Sequence, residues 1–399
     1  MNRFKNSKLK KRKFLITLSI LLLFASKTAN SVPDAGSLLK GEEDIKNYKK
    51  IPRTIPKIDK EKDKKSKPVE DIKSSIFVND IRFSGKVEKF TVSKLKSLLK
   101  GYINKKLNFS QINEAVELIQ EFYLVNDFFL AKVTLPEQEV VDGVIYININ
   151  EGRLDKKDPY LIKAENLRLY KDVLSDYLEN ALSTGVTKNG LERALLNIND
   201  LPGISAVSTI EPGVEEGSSK IILNVIEDDL INGSITLDNH GNRYTAKQRS
   251  TIKISANNPS KIGDKLSITK TFNSSEKFDF TQFDYEVPLG QSGLKAFASA
   301  SRLEFEIGKE LKTIPVSMGN ADNYEVGIKY PIQRTNNQSL FLKTSIEKKE
   351  IYNETTGVLT NDKTVENVRI GFDFEGKNIF QDSSLTGISV SGIFGELDL

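Results

Sequence analysis

The sequence predicts an α+β amino-terminal half and an all-β remainder: two β-α-α-β-β modules, then the first part of a transmembrane antiparallel β-barrel. Three observations predict it. Residues 75–154 and 155–229 repeat one order of strand-like and helix-like periodicity, an internal repeat of two small modules. After Leu230 helical spacing stops, and short alternating strands recur to the last residues. The chain also opens as exported proteins do, with a basic segment and then a short apolar one.

In chain order, Arg3, Lys5, Lys8, Lys10, Lys11, Arg12 and Lys13 precede an apolar run from Phe14 to Ala25. Ala29-Asn30-Ser31 has the small residues of a cleavage site, so residues 1–31 read as a signal peptide. The alternative is an N-terminal anchor helix. Residues 32–74 are polar. "DAGSLLKGEEDIKNY" has the spacing of a short helix with Asp34 or Ser37 as N-cap, and "IDKEKDKKSKPVEDIK" reads as a solvated linker.

In the first module Ile76, Val78 and Ile81 mark a strand. Thr91 to Ile103 has helical spacing, with Val92, Leu95, Leu98 and Leu99 on one face. Ser110 is the expected cap of a second helix carrying Ile112, Val116, Ile119 and Tyr123. "FLAKVTLP" and "GVIYININEG" are the closing strands. Ile76, Val78 and the Val144–Ile149 strand are expected in the core. The second module repeats the order. "LIKAENL" leads to helices near Val173–Leu182 and Lys188–Ile198, then to strands "ISAVSTIEPG" and "KIILNVIED". Pro202-Gly203 and Pro212-Gly213 punctuate the turns around the first of these strands.

Nine strands follow, starting near Gly233, Ser250, Lys265, Lys277, Leu294, Asn323, Ser339, Glu366 and Ser384. Tyr324, Val326, Ile328 and Tyr330 face one way, and Glu325, Gly327 and Lys329 the other. One strand changes phase, since Phe278 and Phe280 are out of step with Phe283, Tyr285 and Val287. A β-bulge near Gln282 is the expected cause. Charges at mid-strand (Lys253, Lys343, Arg369, Asp373) suit a water-filled lumen, although a sandwich tolerates them on its solvent face. Export and the aromatic residues near strand ends (Phe272, Tyr285, Tyr330, Phe380) favour the barrel.

Composition excludes much chemistry. The chain of 399 residues has no Cys, so it has neither disulfides nor Cys-based metal or redox sites. Its one histidine, His240, rules out a His cluster or a Ser-His-Asp triad, and it reads as a solvated turn residue. No phosphate-binding G-x-x-x-x-G-K-[ST] loop occurs. The net charge of +4 is concentrated near the start and gives little support to nucleic-acid binding. No enzyme activity and no cofactor are expected.

Several stretches resemble the outer-membrane transporters of two-partner secretion, the haemolysin secretion/activation type within the Omp85 superfamily. "VPDAGSLL", with Pro33, Asp34, Ala35 and Gly36, looks like the start of that family's plug helix. "VTLPEQEVVDGVIYININEGRL" resembles the end of its first POTRA domain, and "LERALLNINDLPGISAVSTIEPGVEEGSSKIILNVIED" its second. "LDNHGNRYTAKQR", with Asp238, Asn239, Gly241, Thr245 and Arg249, looks like its first barrel hairpin. "DYEVPLG" and "KYPIQRT" resemble barrel strand ends.

The resemblance implies this plan: signal peptide 1–31, plug helix and linker 32–74, POTRA domains 75–154 and 155–229, and partial barrel 230–399. It implies a monomer in the cell outer membrane with its POTRA domains in the periplasm. These domains would capture a large, unfolded exported partner (a haemolysin or adhesin of the TpsA type), which would then thread through the pore to the cell surface and be activated there. An Omp85-type assembly factor is the alternative, and a soluble periplasmic scaffold is a third reading. The family's Val-Arg-Gly-aromatic loop motif has no counterpart, as "VRIGF" lies inside a strand. Nine strands is an odd number where single-chain bacterial barrels have an even one, so the chain is expected to be a C-terminally truncated form.

Overall fold

The computed structural model describes residues 34–48 (side chains as far as 42), 75–183, 185–215, 217–241, 244–245, 247–273, 277–307, 316–379 and 384–399. The expected signal peptide, Pro33, all of residues 49–74 of the expected linker and Phe380 lie outside these residues. Helix α1 spans Ala35–Tyr48. Its first turn is closed by Asp34, whose Oδ1 accepts from Ser37 N–H at 2.9 Å while Ser37 Oγ accepts from Asp34 N–H at 3.1 Å.

The first unit contains β1 (Ser75–Val78), β2 (Asp80–Lys86), α2 (Val92–Leu98), β3 (Lys105–Asn108), α3 (Phe109–Val125), β4 (Lys132–Thr134) and β5 (Val144–Asn150). Strands β2, β5 and β4 form one sheet, with β2 parallel and β4 antiparallel to β5. Both helices bury Leu95, Ile112, Val116, Ile119 and Tyr123 against Ile81, Ile145, Ile147 and Ile149. Three expectations need correction here. The α2 helix stops at Leu98, because the chain turns through Asn104 in a left-handed conformation (φ 58°) and pairs as β3 with β1. The cap of α3 is Asn108, which forms a reciprocal pair with Gln111, and Ser110 lies inside the helix. Ile76 and Tyr146 are exposed: alternation turns Tyr146 away from the core that Ile145, Ile147 and Ile149 fill, whereas Ile76 lies on the same side as buried Val78 but further out along β1.

The second unit contains β6 (Arg153–Leu154), β7 (Tyr160–Ala164), α4 (Lys171–Leu182), α5 (Lys188–Asn199), β8 (Ile204–Pro212) and β9 (Ser218–Glu227). Its core joins Leu174, Tyr177, Leu178, Leu191 and Leu195 to Ile204, Ile221 and Leu223. Burial, and secondarily the charge of Asp200, pushes the Tyr177 phenol up to about 12. Asp127 joins the two units: its carbonyl accepts from Lys188 N–H at 3.0 Å and its carboxylate from Asn189 N–H at 2.9 Å. The start of α5 is therefore anchored by the first unit.

Nine antiparallel strands follow: β10 (Ile231–Asp238), β11 (Arg249–Asn257), β12 (Lys265–Phe272), β13 (Phe278–Pro288), β14 (Lys295–Glu306), β15 (Ser317–Arg334), β16 (Gln338–Thr355), β17 (Val358–Lys377) and β18 (Leu385–Asp398). Each pairs with the next in a single sheet, and β10 and β18 are its outer strands among the described residues. Strands β15 and β17 begin before the expected Asn323 and Glu366. Their first residues carry no apolar alternation, yet a tight turn at Thr356-Gly357, both with positive φ, brings β16 and β17 into register from the start.

One face of this sheet is an exposed apolar belt. Register places Ile254, Ile268, Phe283, Ala300 and Tyr324 side by side, and likewise Val326, Ile346, Val368 and Phe394. Val326 is 63% exposed, Ile346 66% and Phe394 67%. Water is a poor solvent for so continuous a surface, whereas lipid matches it. On the same face the belt gives way to Lys270, Arg302, Asp322 and Glu350, which register aligns towards one end of the strands. The opposite face is polar, with Lys343 paired to Glu325 at 3.2 Å and Glu347 paired to Lys349 at 3.2 Å and Arg369 at 3.5 Å.

Candidate functional site

The site is the place where α1 crosses the polar face of the sheet. Strand β13 makes half of it. Its pairing with β12 and β14 runs without interruption from Phe278 to Pro288, so the expected bulge near Gln282 is absent. The change of phase has another cause. Phe278 and Phe280 point to the polar face and are buried under the helix, while Phe283 and Tyr285 point to the apolar belt. The apolar residues change sides because two different surfaces need them at two heights of one regular strand.

Around these two rings, Leu303, Phe305, Ile307 and Ala321 complete an apolar floor for Ala35, Leu38 and Leu39 of α1. Ala35 N–H donates to Asn353 Oδ1 of β16 at 3.1 Å. Gly36 lies over Ile351, where an added Cβ would meet its Cδ1 at 3.3 Å. Towards the other end of the helix, Glu42 accepts from the guanidinium of Arg249 on β11. Arg249 also donates from Nε to Asp238 Oδ1 at 3.0 Å and from Nη2 to Asp238 Oδ2 at 3.3 Å. This guanidinium is 6% exposed, so its charge has left water and is matched by two carboxylates. If the helix leaves, Glu42 goes with it and Arg249 keeps Asp238. The seat therefore need not leave a bare buried cation behind.

The turn after Asp238 supports this arrangement. Asp238 Oδ1 accepts from His240 N–H at 2.9 Å, and Gly241 N–H donates to Lys247 O at 2.9 Å. Buried Thr245 offers its carbonyl to Asn273 Nδ2 at 2.6 Å. A cavity of about 160 Å³ lies between helix and turn, lined by Ser37, Leu38, Gly41, Glu42, His240 and Thr245 among others. Asn239 lines an open groove beside it with Gln248 and Ser250. Among the described residues no group of three or more His, Asp or Glu is placed to hold a metal ion.

The turn residues of the second unit sit at the far end of the strands, where that unit meets the sheet. Pro202 O accepts from Asn258 Nδ2 at 2.8 Å. Gly203 has φ +72° and lies so close to Asn257 that an added Cβ would be 2.9 Å from its Nδ2. Arg334 holds Asp200, and Tyr170 N–H donates to Lys261 O at 3.0 Å. Buried Glu227 gathers Arg168 and Asn258. Pro212 ends β8, and Gly213 packs against Asp155, where an added Cβ would be 2.4 Å from Oδ1. Asp155 accepts from the Ser218 hydroxyl and from Val214 N–H, and these bonds, the hydroxyl foremost, hold its carboxyl below the usual range.

The sequence residues thus fall into two places. Asp34, Ala35, Gly36, Asp238, Gly241, Thr245 and Arg249 meet at the helix seat, while Pro202 and Gly203 meet the sheet's turns. Glu42, Asn353 and the inward Phe278 and Phe280 carry the seat yet went unrecognised in the sequence. The phase change of β13 was their signal.

A family model described as haemolysin secretion/activation protein ShlB/FhaC/HecB matches residues 217–387, and one described as POTRA domain, ShlB-type, matches residues 76–152. Both matches point to one family of secretion proteins. The family's POTRA model covers the first unit, and its transporter model runs from the end of the second unit into β18. Among curated relatives, the heme/hemopexin transporter protein HuxB of Haemophilus influenzae (strain 86-028NP) is 25% identical over 314 residues, which are 78% of this chain and 54% of HuxB. The outer membrane transporter CdiB of Escherichia coli O6:K15:H31 is 25% identical over 176 residues, 44% of this chain and 29% of CdiB. This chain spans about half the length of HuxB, the family relative it matches over most of its own residues. Two solved structures share its fold. CdiB from Escherichia coli superposes with a TM-score of 0.68 at 18% identity, covering 92% of this chain and 69% of that one. CdiB from Acinetobacter baumannii gives 0.62 at 16% identity, covering 92% and 72%.

Proposed function

We propose that this chain serves as an outer-membrane translocation pore that captures an unfolded exported partner protein and passes it to the cell surface. The observation that carries the reading is the seating of α1. A short amphipathic helix lies on the polar face of a sheet whose other face is an apolar belt, and breaking its Glu42–Arg249 ion pair leaves Arg249 paired with Asp238. The reaction is transport, with no bond chemistry and no cofactor. The apolar belt supports residence in the outer membrane, and the matched family model agrees.

In this reading residues 75–154 and 155–229 are two periplasmic POTRA domains and the strands from 230 on are barrel wall. The partner is an exported protein of the TpsA type, bound first by strand addition to a POTRA sheet edge. The chain works as a monomer. The relatives' names (heme/hemopexin transporter, outer membrane transporter) fit such a role.

Site-directed crosslinking tests it. The chain has no Cys of its own, so single cysteines report without background. Thr209→Cys on the second unit and Ser301→Cys on the polar face would be placed in cells exporting a candidate TpsA-type partner. Crosslinks from both, lost when partner export is blocked, are expected. Crosslinks to many outer-membrane proteins instead would identify an assembly factor, and none from Ser301→Cys would remove the pore.

A further inference from the structure

Three carboxamide side chains in the two periplasmic units each take the place of a missing strand. Gln120 of α3 donates from Nε2 to Ala131 O at 2.9 Å and accepts at Oε1 from Val133 N–H at 2.9 Å, on the edge of β4 that faces away from β5. Asn199, at the end of α5, does the same on β8. It donates from Nδ2 to Ala206 O at 2.9 Å and accepts at Oδ1 from Ala206 N–H at 2.9 Å. Gln138 bridges Tyr146 of β5 in the same manner, with bonds of 2.8 Å to its carbonyl and 2.7 Å from its N–H, just beyond the last pair with β4.

A carboxamide carries one carbonyl and one N–H donor in a plane, as a peptide unit does, and it is neutral. It can therefore fill one rung of a β-ladder that a guest strand would otherwise fill. A helix packed on the sheet does not require this contact, and a charged side chain could not supply both bonds. The coincidence of Gln120 and Asn199 is informative because both lie on the second helix of their unit and both reach the strand that follows it.

We propose that Gln120 and Asn199 are edge guards: they close the strand edges that follow the second helix of each unit, and a guest strand docks there by replacing each carboxamide with its own peptide units. The proposal rests on capture by strand addition and adds its regulation. Guest binding at β4 or β8 then breaks two bonds at each guard before it forms its own. The resting affinity is lowered accordingly, and self-pairing of free edges is suppressed.

The test uses the full chain in detergent micelles and a short fluorescent peptide of alternating Thr and Val as probe. Gln120→Leu and Asn199→Leu keep most of the side-chain volume and remove the bonds. Expected are faster hydrogen exchange at the N–H groups of Val133 and Ala206 and roughly tenfold tighter probe binding, the equivalent of two neutral hydrogen bonds. Gln120→Glu guards against misfolding of the Leu variants. Its ionised carboxylate cannot donate to Ala131 O and opens the edge, and its protonated form, below about pH 4, closes it again. Unchanged or weaker probe binding despite faster exchange overturns the guard role, as does self-association with unchanged probe affinity, and in both cases capture by strand addition stands. A probe bound by neither wild type nor variants overturns both.

Discussion

Arg334 grips Asp200 through two parallel bonds, Nε to Oδ2 at 3.1 Å and Nη2 to Oδ1 at 2.7 Å. One residue ends β15 and the other caps α5, so the pair ties the second periplasmic unit to the sheet. Lys295 Nζ adds a bond to the carbonyl of Asp200 at 2.9 Å. The forked geometry is specific to arginine. Arg334→Lys is expected to loosen the joint by about 1–2 kcal/mol, since a charged bond of this kind is worth about that much. Hydrogen exchange at the N–H of Tyr170, which bonds to Lys261 O across the same joint, should rise in the variant. Unchanged exchange there would mean that the remaining contacts hold the unit alone.

The Glu42–Arg249 contact ties α1 to the sheet. Glu42→Gln removes one charge and leaves Arg249 with Asp238, so the sheet stays intact and the helix is held less firmly. Loss of a charge-assisted bond corresponds to about 1.5 kcal/mol, or roughly tenfold in helix residence. Maleimide labelling of an Ala35→Cys reporter, buried between the helix and the sheet in the parent, should accelerate by that factor. Arg249→Gln should do more, because it leaves Asp238 and Glu42 both without their cation.

Lipid contact makes an opposite prediction for the two faces of one strand. Val326→Arg places a charge on the exposed belt, where the expected cost is about 2–4 kcal/mol at the bilayer midplane. Gel mobility with and without boiling, after recovery from outer membranes, should show far less assembled protein than for a Ser301→Arg variant on the polar face. Equal behaviour of the two would put the belt against water or another sheet.

The Asp155 turn gives a pH dependence. Its carboxyl lies below the ordinary value of 3.8 when folded, chiefly through the Ser218 hydroxyl. A depressed carboxyl stabilises the fold above the unfolded value and loses that contribution as pH falls through the folded one. The protection of Val214 N–H, its exchange relative to that of the unfolded amide at the same pH, should therefore be high at neutral pH and fall below 3.8. In Asp155→Asn the protection should be low and nearly independent of pH across that range.

Strand alternation was legible because it needs only neighbours in sequence. So were the capped helices, the repeat of two small modules and the change of texture after Leu230. Where local signals compete, tertiary pairing decided. Leu99–Ile103 left the expected helix as the chain turned to pair Lys105–Asn108 with β1, and Asn108 displaced Ser110 as cap because Gln111 stood three residues on. Ile76 carries an apolar side chain on the same side of β1 as buried Val78, yet it is exposed near the start of the strand.

By itself the sequence determined that one face of nine strands is apolar, that two small helix-and-strand units precede them, and that its turns fall at Pro202-Gly203 and after Asp238. Each is a property of spacing within a few residues. Only the tertiary structure decided that Phe278 and Phe280 face a helix rather than lipid, that Glu42 meets Arg249, that Asp200 meets Arg334, and that Gln120 and Asn199 lie along strand edges. The helix seat and the joint bring together residues far apart in the chain, and the edge amides bridge a connecting turn. No periodicity encodes such meetings, because they depend on how whole elements pack and on which buried charge or peptide group is left needing a partner.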